Sequence, residues 1–191
     1  MMVLQPVRPR AALRTWLEAD EASALIDAAG DHRALIAAMV LAGPRISEAT
    51  ALRWRSVDLA RGRLTIEASK TDAGRRVVDL SPWLLEELKL HRAKAAYSGA
   101  DDYVFATRNG TQRERSNVTR QILRPAITAA NVKRAKAGLP PIGSDVTNHT
   151  LRRTFASLLY EAGAWPAYVM AQMGHTSSTL ALEVYARKME R

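Results

Sequence analysis

The chain has 191 residues, of which 47% are hydrophobic and 25% are charged. This length fits one compact domain, and the composition is that of a folded chain rather than a disordered one. Lys and Arg number 28 against 19 Asp and Glu, so the formal net charge is +9, and 22 of the 28 cations are Arg. An anionic polymer is the expected partner, because a guanidinium can donate two parallel hydrogen bonds to one phosphate.

The sequence also excludes several kinds of site. It contains no Cys, which rules out disulfides, thiolate metal sites and a cysteine nucleophile. No run of apolar residues approaches the roughly 18 that a membrane span needs. We therefore expect a cytoplasmic protein.

The N-terminal part is predicted to be an arm followed by short helices. Residues 1–15 are rich in Pro and Arg and lack periodicity, which predicts a basic, flexible arm that could follow a phosphate backbone. A disordered leader explains the same residues equally well. One domain is expected over residues 16–191, where apolar residues first recur at helical spacing and Gly30 and Gly43 act as stops. The predicted helices of this region span 17–29, 32–42 and 46–52.

A β-hairpin is predicted to interrupt the helical pattern. Its two strands and the polar loop between them cover 63–67, 75–80 and 68–74. Ser81 and Pro82 form an N-cap and first-turn pair that begins an amphipathic helix, which extends as far as Tyr97. A short strand is expected over 103–105.

The C-terminal half is predicted to be helical. Pro125 is expected to kink the first of its helices, and Gly163 and Gly174 occupy C-cap positions. The predicted helices span 117–135, 148–162, 166–173 and 179–188. The fold class is therefore mainly α with a small antiparallel β-hairpin or sheet, an α+β arrangement.

Several polar residues are candidates for a functional site, although each has a structural alternative. Arg45 follows a Gly-Pro turn at the mouth of a helix, where it could meet a bound anion or form a surface ion pair with Glu48. Lys70 lies at the hairpin tip and could be delivered to a substrate, but a solvated turn lysine is commoner. His149 and Arg152 share one face at the start of a helix, a position that suits an anion and equally suits capping.

Two further candidates complete the series towards the C-terminus. His175 follows Gly174 in a loop, and Tyr185 lies on a predicted amphipathic helix, where a tyrosine usually packs into the core. Taken together and in order, these segments resemble the catalytic domain of the tyrosine recombinase and phage integrase family. The matching segments are Gly43–Glu48, Lys70 in SKTDAGRR, His149–Arg152, Met173–His175 and Tyr185.

The match has three departures from the family pattern. Pro44 stands where Leu is usual, and the ten residues from His175 to Tyr185 are one more than the commonest spacing. Before Leu17 there is no room for the separate helical DNA-binding domain that family members usually carry. The resemblance therefore implies an isolated tyrosine recombinase catalytic domain over 16–191.

The resemblance also implies a reaction. The Tyr185 hydroxyl would attack a DNA phosphodiester and form a 3′-phosphotyrosyl intermediate, with no metal, ATP or other cofactor. Arg45 and Arg152 would donate hydrogen bonds to the phosphate in the transition state, and Lys70 would act as the general acid for the leaving 5′-oxygen.

The other site residues receive supporting roles by the same resemblance. His149 would assist proton removal from Tyr185 or hold the phosphate, and His175 would bond a non-bridging oxygen. Which of the two His residues is the base stays open. Glu48 would orient Arg45 or a neighbour.

The implied function is site-specific recombination or integration of double-stranded DNA, with further recombinase protomers joining in a tetrameric synapse. One alternative is a catalytically silent DNA-binding or architectural protein, although a protein that only binds has no need of a nucleophile. A second is DNA relaxation of the type IB topoisomerase kind. A metal-dependent nuclease is disfavoured, because no compact Asp/Glu/His cluster has ligand spacing.

The remaining aromatic and basic residues receive simpler predictions. The residues expected only to pack are Tyr97, Tyr103, Tyr160, Tyr168, Trp54, Trp83 and Trp165. The residues predicted to contact the DNA backbone, or else to form a solvated surface, are Arg53, Arg55, Arg113, Arg115 and Arg120.

Overall fold

The computed structural model describes residues 16–67 and 75–174, together with Ala186. In these ranges the helices are α1 (Ala19–Ala28), α2 (Arg33–Leu41), α3 (Ile46–Ala51), α4 (Pro82–Lys94), α5 (Arg115–Asn117), α6 (Arg124–Lys136), α7 (Asn148–Glu161) and α8 (Pro166–Met173). The strands are β1 (Val57–Asp58), β2 (Arg63–Ile66) and β3 (Arg76–Asp79). Short 3₁₀ turns cover Gly30–His32 and Trp54–Ser56, and a π-helical turn covers Val118–Leu123. The predicted fold class, mainly helical with a small antiparallel sheet, is confirmed.

Helix α2 lies at the centre of the hydrophobic core. Every residue from Ala34 to Val40 is buried, because α1, α4 and α7 pack around this helix. A helix that is apolar on all sides is the expected occupant of such a position. Just after α2, Gly43 has φ of +58°, and a Cβ built on it would lie 2.4 Å from Cδ1 of Phe155. The turn from α2 to α3 therefore presses directly against α7.

The sheet has the order β1-β2-β3 with both pairs antiparallel. The two predicted strands are confirmed as β2 and β3, and Leu64 pairs with Val78 between them. In β3, Arg76 and Val78 are buried while Val77 and Asp79 are exposed. An arginine thus occupies a core-facing position of the strand. The predicted hairpin loop 68–74 lies outside the described residues.

Three predictions about local structure need correction. The helix predicted as far as Tyr97 ends at Lys94. The strand expected over 103–105 was wrong, because only one isolated bridge forms, between Arg53 and Tyr103. Strand β1 was not predicted; with two residues, it is defined by its pairing with β2 rather than by a sequence pattern.

The helix changes type just before Pro125, the position at which a kink was predicted. Residues 115–136 are helical throughout, but the turn Val118–Leu123 is π-helical and the Arg124 N–H bonds the Thr119 carbonyl, five residues back. Pro125 occupies the first turn of α6, where its missing N–H costs little. The N-cap predicted at Ser81 is confirmed, since its Oγ accepts from the Leu84 N–H at 3.3 Å.

The tryptophans predicted to pack into the core differ in how far they are exposed. Trp54 is buried, as expected, but Trp83 is 45% exposed and Trp165, just before α8, is 81% exposed. The packing prediction was wrong for these last two. Within the described ranges, no helix combines the length and apolar character needed to cross a membrane.

Candidate active site

The first side of the site is the beginning of α3. Arg45 is the N-cap residue of this helix, and its backbone N–H donates to Oε2 of Glu48 at 2.6 Å. Its Nη1 donates to Oε1 of the same carboxylate at 2.8 Å. These bonds bend the Arg45 side chain back over the first turn of α3, while 46% of its side chain stays exposed. A guanidinium is thereby held at the surface next to the helix N-terminus.

The carboxylate of Glu48 is shared with a second arginine. Arg76 on β3 donates from Nη1 to Oε1 at 3.1 Å and from Nη2 to Oε2 at 2.8 Å, a bidentate pair. The side chains of Arg76 and Glu48 are only 5% and 14% exposed. Burial by itself would raise the pKa of Glu48, but the hydrogen bonds from Arg76 and Arg45 outweigh it and lower the pKa to about 2. Glu48 is therefore ionised at neutral pH.

Arg152 on α7 is the most deeply buried of the arginines at the site. It is 2% exposed, and its guanidinium donates from Nη1 to the Gly43 carbonyl and from Nη2 to the Met173 carbonyl. Burial, followed by the positive charges of Arg76 and Arg45, lowers the pKa of Arg152 to about 9. The two bonds use two of the five N–H groups of the guanidinium. Arg152 thus links the turn before α3 with the end of α8.

The end of α8 rests on both buried arginines. The Gln172 carbonyl accepts from Nε of Arg76 at 3.0 Å, and the next carbonyl, of Met173, accepts from Arg152. The last carbonyls of a helix lack partners within the helix and carry partial negative charge, so cations are favourable there. Gly174 then turns with φ of +60°, and a Cβ on it would lie 2.5 Å from Cδ of Arg76. The residue before His175 therefore packs directly on the Arg76 side chain.

His149 lies in the first turn of α7, on the solvent side of the arginine cluster. The helix begins at a capping box. The Thr147 side chain accepts from the Thr150 N–H, and the Thr150 side chain accepts from the Thr147 N–H. Desolvation, followed by the positive charges of Arg153, Arg152 and Arg45, lowers the pKa of His149 below its usual value of 6.5. The imidazole is therefore mostly neutral at pH 7, and a bound anion would raise its pKa.

The charges of the site are not balanced in the part of the chain that the structure describes. The guanidinium groups of Arg45, Arg76 and Arg152 face the single carboxylate of Glu48, which leaves two positive charges in excess. An anion that displaced water at Arg45 would supply the missing negative charge. In the same ranges, no group of three or more His, Asp or Glu side chains comes together to hold a metal ion.

The structure brings four of the predicted site residues together, namely Arg45, Glu48, His149 and Arg152. The other three, Lys70, His175 and Tyr185, lie outside the described residues. Sequence reasoning missed Arg76. Its signal was the alternation in Arg76-Val77-Val78-Asp79-Leu80, which puts an arginine in register with two core residues.

Several basic residues predicted to touch DNA have partners within the chain. Arg53 lies over the Tyr103 ring, Arg55 pairs with Asp101, and Arg113 bonds the Phe105 carbonyl. Arg53 and Arg55 also line a cleft of about 270 Å³ that extends to Ser47 and Glu48 on α3. Arg55 is 53% exposed. Two basic side chains therefore line this cleft, together with the carboxylates of Glu48 and Glu67.

Comparison with known proteins identifies a family. The family model described as the phage integrase family matches residues 15–191. The tyrosine recombinase XerC of Xanthomonas axonopodis pv. citri (strain 306) is 30% identical over 177 residues, which cover 90% of this chain and 53% of the relative. The prophage integrase IntR of Escherichia coli (strain K12) is 29% identical over 76% of this chain and 40% of its own length. The chain thus spans about half the length of these curated relatives.

Solved structures show the same fold. The crystal structure of XerA recombinase superposes with a TM-score of 0.77 at 23% identity, over 97% of this chain and 65% of that one. A lambda integrase dimer bound to a COC' core site gives a TM-score of 0.67 at 21% identity, over 88% of this chain and 47% of that one.

Proposed function

Because this chain belongs to the phage integrase family, we propose that it cleaves and rejoins double-stranded DNA as the catalytic domain of a site-specific recombinase. The carrying observation is the cluster of Arg45, Arg76 and Arg152 around Glu48, which leaves positive charge in excess beside a helix N-terminus. A phosphodiester gathers negative charge as its transition state forms, and fixed guanidinium groups stabilise that charge without rearranging.

The described residues have distinct parts in this reaction. Arg45 is exposed and is the first guanidinium that an approaching phosphate would meet. Arg152 lies behind it with its plane fixed by the Gly43 and Met173 carbonyls, so its remaining N–H groups are oriented in advance. His149 is mostly neutral before DNA binds, and its ring can accept or donate a proton beside the phosphate.

The chemical steps fall to residues outside the described ranges. By resemblance to the family, the Tyr185 oxygen attacks phosphorus and forms the 3′-phosphotyrosyl bond, while the bond to the 5′-oxygen breaks. Lys70 gives its proton to that leaving oxygen, and His175 hydrogen-bonds a non-bridging oxygen. Rejoining reverses these steps, and no net bond energy is consumed.

The partners follow from the same proposal. Basic side chains along the cleft of Arg53 and Arg55 would track the DNA backbone next to the arginine cluster. One of the similar structures is a lambda integrase dimer on DNA, and strand exchange requires more than one nucleophile. We therefore propose that further protomers join this chain on DNA, in a tetrameric synapse, in the cytoplasm.

A covalent-capture experiment tests the proposal. The protein is incubated with a pool of nicked duplexes that carry a randomised central region, in excess EDTA, and the products are separated under denaturing conditions. We expect a protein–DNA adduct whose DNA is joined to Tyr185, and sequencing of that DNA gives the target site. Loss of DNA cleavage on chelation, with recovery in magnesium, would contradict the mechanism in favour of a metal-dependent nuclease, which forms no adduct.

Tyrosine variants identify the nucleophile. Tyr185→Phe removes only the hydroxyl, so we expect DNA binding without any adduct. Tyr168→Phe is the matched control, because the Tyr168 hydroxyl donates to Asp79 at 3.1 Å and not to a residue of the arginine cluster. DNA binding by the wild-type chain without any adduct would favour the catalytically silent DNA-binding protein. An adduct that leads only to supercoil relaxation would favour the type IB topoisomerase reaction.

A sulfur-substituted substrate tests Lys70. Lys70→Ala should slow cleavage of an ordinary phosphodiester but have little effect when the bridging 5′-oxygen is replaced by sulfur, because sulfur leaves without protonation. Equal slowing on both substrates would show that Lys70 binds DNA and does not donate the proton.

A further inference from the structure

We infer that Arg76, which ends the segment SKTDAGRR but is not among the predicted site residues, is a positioning residue that holds Arg45 and the end of α8 in one arrangement. This inference rests on the proposed function for its meaning in catalysis. Its basis is that Arg76 makes contacts with two separate elements of the site while being shielded from solvent itself.

The first contact of Arg76 is with α3. Both of its terminal nitrogens bond Glu48, at 3.1 and 2.8 Å, and Glu48 in turn bonds the backbone and the side chain of Arg45. Each oxygen of the carboxylate thus accepts one bond from Arg76 and one from Arg45. Arg45 cannot keep its position if the carboxylate turns away, and Arg76 is what fixes the plane of that carboxylate.

The second contact is with the end of α8. Nε of Arg76 donates to the Gln172 carbonyl at 3.0 Å, and the aliphatic part of the side chain fills the space where Gly174 has no Cβ. A lysine has one point-like ammonium and cannot bond a carboxylate twice while also reaching a carbonyl on the far side. The planar guanidinium is therefore required to join the two elements.

Arg76 does not itself meet the substrate in this arrangement. Its side chain is 5% exposed, compared with 46% for Arg45. The next residue back along the chain, Arg75, is exposed immediately before β3 and provides a matched control with the same charge. Replacement of Arg76 should consequently change the rate of cleavage of bound DNA rather than the affinity for DNA.

The test compares Arg76→Met, Arg76→Lys and Arg75→Met with the wild-type chain. For Arg76→Met we expect the single-turnover rate of adduct formation at saturating DNA to fall on the order of 100-fold, with an unchanged Kd for DNA. Arg76→Lys should recover part of that rate, and Arg75→Met should keep the wild-type rate. An unchanged rate in folded Arg76→Met, or a loss confined to Kd, would overturn the inference.

Two measurements without DNA keep the inference separate from the proposed function. Carboxyl ¹³C titration should show that the pKa of Glu48 rises from about 2 in Arg76→Met, because burial remains while the hydrogen bonds and the charge of Arg76 are lost. Exchange of the Arg45 amide hydrogen should become faster in the same variant. If the wild-type chain forms no adduct, the proposed function fails while these two results still decide the positioning role.

The same measurements apply if Arg76→Met does not fold. Arg76→Lys, which keeps the charge, then carries the test, with a slower rate and faster Arg45 amide exchange expected. Wild-type values for both in Arg76→Lys would overturn the inference.

Discussion

Among the residues that the structure describes, two regions bury arginine side chains, and the charges of these regions are balanced differently. Arg134 on α6 is 4% exposed; its Nε donates to the Pro140 carbonyl at 2.7 Å and its Nη1 to the Asp20 carboxylate at 2.9 Å. One cation there meets one anion, and the pair ties α6 to α1. At the candidate site Arg152 is as deeply buried, but its bonds go to two backbone carbonyls and two further arginines lie close by.

The difference separates an arginine that is paired within the chain from one that the proposed function assigns to the phosphate. A buried charge is tolerated when it is paired and hydrogen-bonded, and Arg134 meets both conditions within the chain. Arg152 is hydrogen-bonded but has no carboxylate partner among the described residues, and burial together with the charges of Arg76 and Arg45 lowers its pKa to about 9. The described part of the site thus holds more positive than negative charge, which the phosphate of the proposed function would balance.

The largest expected effect compares Arg152→Lys with Arg134→Lys. Lysine at position 152 cannot span the Gly43 and Met173 carbonyls, so the rate of adduct formation should fall by about 10²- to 10³-fold, the usual cost of one preorganised donor. Arg134→Lys should lower the free energy of unfolding while leaving the rate per folded molecule unchanged. Single-turnover kinetics with circular dichroism on both variants measure this. Similar rate losses in both would remove the distinction between the two regions.

The next effect concerns acid stability. Because the folded-state pKa of Glu48 is about 2 instead of 4.5, its ionised form contributes about 3 kcal/mol to the free energy of unfolding. The pKa is lowered, so this contribution is complete above about pH 4.5 and is lost as the pH falls towards 2. Glu48→Gln should remove it, and urea unfolding as a function of pH measures the loss.

Asp20→Asn is the control for that measurement. The hydrogen bond from Arg134 lowers the pKa of Asp20, against the opposing effect of burial, but the Asp20 side chain is 59% exposed. Solvent screening weakens such a pair, so the loss should be smaller. An equal loss of unfolding free energy in Asp20→Asn would show that the excess positive charge at the site does not increase the contribution of Glu48.

A smaller effect tests whether the excess charge attracts an anion. Sulfate at matched ionic strength should raise the Tm of the wild-type chain, relative to chloride, by about 2–4 °C more than that of Arg45→Met. The general stabilising action of sulfate is shared by all variants, so only this difference reports on the site. Arg134→Met should keep the full wild-type increment. An Arg45→Met increment equal to that of wild type would argue against an anion site at Arg45.

The smallest effect is on the titration of His149. Removing the positive charge of Arg45 should raise the pKa of His149 towards 6.5, because Arg45 is one of three arginines that repel the imidazolium. His32 is the control, since its pKa is lowered by burial and then by Arg113, with no contribution from Arg45. Proton NMR of both His residues in Arg45→Met gives the comparison. Equal movement of His149 and His32 would indicate a global change.

The sequence predicted the fold where a local pattern exists. Helical periodicity and stop glycines located α1 and α2, and the Ser81-Pro82 pair located the start of α4. Strand β1 and the irregular segment at Tyr103 depend on pairing between distant parts of the chain, which no local pattern encodes. The exposure of Trp165 is likewise a property of the packed molecule, since its residue type favours burial.

For the site, too, the sequence predicted residues that lie in local motifs but not the contacts between distant segments. Arg45, Glu48, His149 and Arg152 were selected because their order along the chain matches family segments. The contacts of Arg76 arise only when β3, α3 and α8 meet, so its role needed the structure. Its inward register was visible in the alternation of β3, and a core-facing arginine on a strand is itself a signal of an internal ion pair.

The π-helical turn at Val118–Leu123 has a consequence for how this chain tolerates insertions and deletions. A π turn holds about one residue more than the α-helical turn it replaces, so deleting one residue there would let the turn become α-helical with its two flanks close to their present phase. Deleting a residue from the α-helical turns of α6 would instead rotate one part of that helix against the other by roughly 100°. Thr119, in the π turn, accepts from Asn148 at 2.8 Å, and Arg134, near the end of α6, bonds Asp20. Both contacts depend on the angular phase of the helix, so we expect a one-residue deletion to be tolerated better in the π turn than within α6.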